Sequence, residues 1–121
     1  MQESGEMYLE TILMLSHDGK QVRAVDIAET MGFSRPSVSR ALSLLRESGH
    51  VTVDEKGCVA LTPGGDATAR KIYERHRLLG ECLIRLGVDE DTAHEDACRI
   101  EHVISERSFN AIKEYLEKSA E

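Results

Sequence analysis

Two imidazoles, a thiol and a carboxylate fall within one short segment, His94-Glu-Asp-Ala-Cys98-Arg-Ile-Glu101-His102. In a helix each residue turns the chain by about 100°, so His94, Cys98, Glu101 and His102 would project at about 0°, 40°, 340° and 80°, an arc of roughly 100°. Each is a ligand type for transition metals, and the required forms (thiolate and neutral imidazole) are attainable near neutral pH. Each alone also has an ordinary role: a surface His, a solvated Glu, a buried Cys serving as a small hydrophobe. The four together favour metal binding. One helix face rarely completes a coordination shell, so further ligands are expected elsewhere. His76 is one candidate. Met7 and Glu10, three apart on another helical stretch, are a second pair.

The elements that must carry these groups follow from periodicity and punctuation. Residues 6–16 read as a helix with Leu9, Ile12, Leu13 and Ser16 on its inner stripe, followed by a turn at 17–20. Residues 22–31 read as a short helix with Val25, Ile27, Ala28 and Met31 inward, ended by Gly32. Ser34 is suited to cap the next helix, and Pro36 to its first turn. That helix should run to about residue 48, burying Val38, Ala41, Leu42 and Leu45, with Gly49 as its C-cap. Residues 51–53 and 58–61 are β-type runs joined across 54–57, a hairpin signal. The breaker Thr62-Pro-Gly-Gly65 precedes a long helix over 66–86, through Ala69, Ile72, Tyr73, His76, Leu79, Leu83 and Leu86. Gly87 stops it. Asp89 caps a helix to about residue 104, and Ser105 opens a last one through Ile112, Tyr115 and Leu116. The expected fold is mainly α: a winged helix-turn-helix over residues 1–62, then an all-helical domain over residues 63–121.

Composition narrows the class of function. With 121 residues, 40% hydrophobic and 31% charged, the chain suits one modest domain or two small lobes. No apolar run approaches the roughly 20 residues of a membrane helix. The first residues, with Glu3 and Glu6, lack a signal-peptide layout, so a cytoplasmic location with no membrane partner is expected. Cys58, Cys82 and Cys98 are odd in number and widely spaced, which fits reduced thiols rather than a disulfide framework. A net charge of −7 argues against nucleic-acid binding, but its distribution does not: residues 34–46 hold Arg35, Arg40 and Arg46 and no acid. In a helix-turn-helix, Ser34, Arg35, Pro36 and Ser37 would enter the major groove of double-stranded DNA, with Arg40 reaching a base edge or phosphate. Ser39 and Arg46 share the exposed side of that helix, and Lys56 at the hairpin tip would touch backbone.

Five motifs, Glu6-Met-Tyr-Leu9, Ser34-Arg-Pro-Ser-Val-Ser39, Leu61-Thr-Pro-Gly64, His76-Arg-Leu-Leu79 and the His94–His102 segment, resemble in order the metal-dependent repressors of the diphtheria toxin repressor and manganese transport regulator family. The likeness runs from about residue 6 to 107, and the last motif is its most specific part. It implies a homodimeric winged-helix repressor whose helical domain binds metal and dimerises, and which sits on a palindromic operator of metal-uptake genes when loaded with a divalent ion. Carried over by position, Met7, Cys98, Glu101 and His102 match the primary site of the iron-responsive branch, and His76 and His94 its ancillary site. Two departures stand out. Gly80 occupies the position of an ancillary glutamate, with Glu81 one step round the helix. Glu10 matches a ligand of the manganese-responsive branch, whereas Met7 and Cys98 replace carboxylates of that branch. By resemblance in length, the short, manganese-type form without an SH3-like domain is expected.

Met7 and Cys98 are soft donors and favour Fe²⁺ ahead of Mn²⁺, which prefers oxygen-rich sites; Glu10, with His76 and Glu101, offers a position suited to Mn²⁺. One or two ions per subunit are expected. The sequence reading is therefore a metal-activated repressor and not an enzyme. Two alternatives come from other classes. A regulator sensing a redox signal through Cys98 would keep metal-independent DNA binding when Cys98 is replaced by Ser. A metalloenzyme would turn over generic esters when metal-loaded.

Overall fold

The structure, a computed structural model, describes residues 3–119, with the backbone alone for Glu3. Residues 1–2 and 120–121 of the expected domain spans lie outside the described residues. The elements are α1 (Glu3–Leu15), a 3₁₀ turn (His17–Gly19), β1 (Val22–Arg23), α2 (Ala24–Met31), α3 (Arg35–Glu47), β2 (Val51–Val53), β3 (Cys58–Leu61), α4 (Pro63–Arg85), α5 (Glu90–Ile100) and α6 (Glu106–Ser119). They form two compact units that divide between Arg70 and Lys71, inside α4.

The first unit is a winged helix-turn-helix. Leu9, Ile12, Ile27 and Val38, from α1, α2 and α3, are fully buried in one core with Val22, Val51, Val59 and Ala69. Gly32 ends α2 in the left-handed conformation at φ 71°, open to glycine at no steric cost, and its N–H bonds the Ala28 carbonyl. Ser34 then caps α3, its hydroxyl accepting from the Ser37 N–H at 3.3 Å, and Pro36 lies in the first turn. The wing is a three-stranded sheet of order β1-β3-β2, all antiparallel, with Val51 opposite Leu61 and Val53 opposite Val59. Asp54 shapes the hairpin turn by accepting from the N–H groups of Lys56 and Cys58 at 2.9 Å.

Several expectations are corrected here. Val22 and Arg23 do not start a helix; they pair with Val59 and Cys58 as an edge strand. Ser16 lies outside α1. Ser48, not Gly49, is the C-cap of α3, and Gly49 follows at φ 81°. The 62–65 breaker is instead the start of α4. Pro63 fits a first turn whose N–H groups have no helical partner, and Thr62 caps it, with its hydroxyl accepting from the Gly65 N–H at 3.1 Å.

The second unit packs Leu78 and Leu79 of α4, Ala97 of α5, and Phe109 and Leu116 of α6 into a separate core, flanked by Cys82, Ile100, Ile104 and Ile112. Asp89 caps α5, accepting from the Thr92 N–H at 3.0 Å, and Ser105 caps α6, accepting from the Ser108 N–H at 3.1 Å. Tyr73, Leu86 and Tyr115, expected on apolar stripes, are exposed. The α5 helix stops at Ile100 rather than near residue 104. Among the described residues no helix is long and apolar enough to cross a membrane.

Candidate metal centre and nucleic-acid interface

Because α5 ends at Ile100, the four ligand candidates do not all share a continuous helix face. His94 and Cys98 ride on α5, Glu101 is its C-cap, and His102 lies in the turn beyond. The Ile100 carbonyl closes that turn by accepting from the N–H groups of Val103 at 3.0 Å and Ile104 at 2.9 Å. Glu101 keeps a helical backbone, its N–H donating to the Ala97 carbonyl, and it is 0% exposed rather than a solvated surface carboxylate. Burying a carboxylate is costly unless a cation or strong donors compensate. Two imidazoles flank it. His76 Nδ1 lies 2.9 Å from Oε2, and His102 Nε2 lies 3.3 Å from Oε1. With the carboxylate ionised, His76 Nδ1–H is the donor in the 2.9 Å contact. The His102 side chain is fully buried too.

His94 stands on the other side of His76. The two rings stack with centroids 5.5 Å apart and planes at 12°, but the His94 side chain is 51% exposed. Both rings line an open groove of about 460 Å³ with Tyr73, Arg77, Glu81, Ile84 and Arg85. Gly80 faces this pair: a Cβ added there would sit 3.7 Å from His94 Nδ1. A side chain at position 80 would therefore project onto the His94 ring. Glu81, the neighbouring acid, is instead held by Arg85 at 2.6 Å. Cys98 is half-buried.

The second unit thus brings the partly exposed His76 and the fully buried Glu101 and His102 side chains into one cluster and sets His94 beside it. The cluster fits a divalent cation on two grounds. Glu101 Oε1 has no hydrogen-bond donor among the described residues. The donor set, one carboxylate and several imidazoles, suits the first-row divalent ions. Met7 and Glu10 lie on α1 of the first unit, both half-buried.

The DNA candidates occupy the first unit. Ser34, Arg35, Pro36, Ser39, Arg40 and Arg46 are exposed on or beside α3, Ser37 is half-buried under the capping bond, and Lys56 is exposed in the hairpin turn. Leu44 and Glu47 share this helix. Both are exposed, and they fall four and seven residues after Arg40, on the same outward face. Phe33, in the turn before α3, is partly exposed and packs against Tyr8 with centroids 6.0 Å apart.

Comparison with known proteins places this architecture. Residues 1–59 match the model of the iron dependent repressor N-terminal DNA binding domain. Residues 62–121 match that of the iron dependent repressor metal binding and dimerisation domain. An uncharacterized HTH-type transcriptional regulator of Methanocaldococcus jannaschii is 30% identical over 120 residues, 98% of this chain and 96% of that one. The diphtheria toxin repressor of Corynebacterium efficiens is 34% identical over 116 residues, 95% of this chain, which spans only 50% of that longer protein. A solved manganese-dependent transcriptional repressor in complex with manganese superposes with a TM-score of 0.85 at 32% identity, covering 93% of this chain and 52% of that one. The alternatives of a metalloenzyme and a thiol sensor lose their footing, because the matched family consists of metal-dependent transcriptional repressors. The chain belongs to the iron-dependent repressor family, with its DNA-binding domain followed by its metal-binding and dimerisation domain.

Proposed function

We propose that this protein is a metal-activated repressor that binds a palindromic operator as a homodimer, with Fe²⁺ ahead of Mn²⁺ as its signal. The observation that carries the reading is the fully buried Glu101 carboxylate between His76 and His102, within the segment that matches a metal-binding domain. A bound divalent ion would supply positive charge directly beside this buried carboxylate. On this reading Glu101 and His102 are ligands with Cys98, and His76 and His94 hold a second position. Met7 and Glu10 join the set on the strength of the sequence resemblance. The soft donors Met7 and Cys98 support Fe²⁺, while Glu10 keeps the set open to Mn²⁺. A metal activates only by binding the DNA-competent form more tightly than the other, so the ligands must differ in availability between the two forms. In a dimer, the two α3 helices would meet successive major grooves about 34–36 Å apart, which is why a palindrome is expected.

The test is selection of bound duplexes from a random pool, without oxygen, in the presence of Fe²⁺, Mn²⁺ or chelator. A palindrome enriched only with metal, and lost in Glu101→Gln, is the expected result. Equal enrichment under chelator, or indifference to Glu101→Gln, would refute the reading.

A further inference from the structure

Resting on that metal reading, we infer that Arg75 is a positioning residue for the metal centre: it sets the 101–104 turn so that Glu101 and His102 are in place before an ion arrives.

Arg75 is only 9% exposed and lies on α4, immediately before His76. Its Nη1 donates to the Glu101 carbonyl at 3.1 Å and to the Ile104 carbonyl at 3.2 Å, the two ends of the turn that carries the ligands. Its guanidinium sits 5.6 Å from the centroid of the Phe109 ring on α6. Two consecutive residues of α4 thus grip one residue of the centre: Arg75 holds the Glu101 backbone, and His76 holds the Glu101 carboxylate.

The chemistry is more than a helix end requires. Water or a glycine turn can satisfy the last carbonyls of a helix, and an apolar residue could fill the site at less desolvation cost. Here a charged group is buried with no carboxylate within ion-pair distance among the described residues. Its Nε lacks a hydrogen-bond partner there. The favourable terms are two charge-assisted hydrogen bonds, the ring face, and the negative end of the α5 dipole. All of them converge on the backbone that orients Glu101 and His102. Groups that orient ligands without touching the ion commonly change metal affinity by about 10–100-fold when removed.

The experiment compares the wild-type chain with Arg75→Met, Arg75→Lys and Leu116→Ala, using Co²⁺ as a visible-absorption probe and Mn²⁺ in competition. Arg75→Met should shift the Co²⁺ ligand-field bands and weaken Mn²⁺ binding by about 10–100-fold. Arg75→Lys, which can still donate to the two carbonyls, should recover part of both. Leu116→Ala, in the same core but away from Arg75, should lower stability and leave the bands in place. If Arg75→Met matches the wild type in bands and affinity, or if Leu116→Ala reproduces its effects at equal stability, Arg75 is only structural and the inference falls. If Arg75→Met does not fold, Arg75→Gln replaces it with the same two outcomes. A wild type that binds neither ion would instead overturn the proposed function, and this inference with it.

Discussion

Two adjacent glycines in the first turn of α4 should respond in opposite directions to the same substitution. Replacing a helical Gly by Ala normally stabilises by about 0.4–1 kcal/mol, mainly by restricting the unfolded chain. Gly64 meets that condition: a Cβ there finds only the Thr62 hydroxyl, at 3.8 Å. Gly65 does not. Its Cβ would sit 2.9 Å from the His50 carbonyl carbon and closer still to the oxygen, against backbone that no side-chain rotation can relieve. Carbon atoms pack at about 3.5–4.0 Å, so the two segments must part by more than half an ångström. Two hydrogen bonds resist that parting, from the Thr62 N–H to the His50 carbonyl at 3.0 Å and from the Thr62 hydroxyl to the Gly49 carbonyl at 2.6 Å. Losing both costs about 1–3 kcal/mol, and the overpacking a further ~1–3 kcal/mol. After the helix gain is subtracted, Gly65→Ala should destabilise by about 1–5.6 kcal/mol. Gly64→Ala should stabilise by up to about 1 kcal/mol. Urea unfolding followed by circular dichroism at one fixed protein concentration measures both, since dimerisation would make stability concentration-dependent. If Gly65→Ala proves as stable as the wild type, or if the two variants change with the same sign, the reasoning from backbone contact is refuted.

Two pH dependences follow from individual groups. The hydrogen bond from the Thr92 N–H, then that from its side chain, holds the Asp89 carboxyl below its ordinary 3.8. A carboxyl depressed in the fold stabilises above the unfolded value and loses that contribution as pH falls through the lower, folded one. Relative to Asp89→Asn, which caps without titrating, the wild type should lose urea resistance below pH 3.8; parallel acid limbs would contradict this. Burial raises the Tyr8 hydroxyl above its ordinary 10.0 by disfavouring the phenolate. The wild type should therefore lose stability relative to Tyr8→Phe as pH rises past 10.0, and a constant difference between the two would speak against it.

What the sequence determined by itself is local. The capped α3 helix, with Ser34 and Pro36 at its start, and the hairpin, with Asp54 and Gly57 at its turn, were legible because short-range hydrogen bonds and backbone preferences decide them. The composition of the ligand set was equally legible, since residue types do not depend on packing. What only the tertiary structure decided is where distant partners override those preferences. Val22 and Arg23 extend because β3 offers its edge, although a helical pattern begins just beyond them. The two glycines that read as a breaker sit inside α4, where the His50 backbone leaves no room for a side chain at Gly65. The ligand-bearing helix ends at Ile100, with Arg75, 26 residues before Glu101, donating to the turn that follows. Glu101 keeps a helical backbone as the C-cap, but packing makes it a buried carboxylate between two imidazoles rather than a solvated one. Helical periodicity can assign a face, but only packing sets the solvation of that face. Solvation is what makes this carboxylate call for a cation.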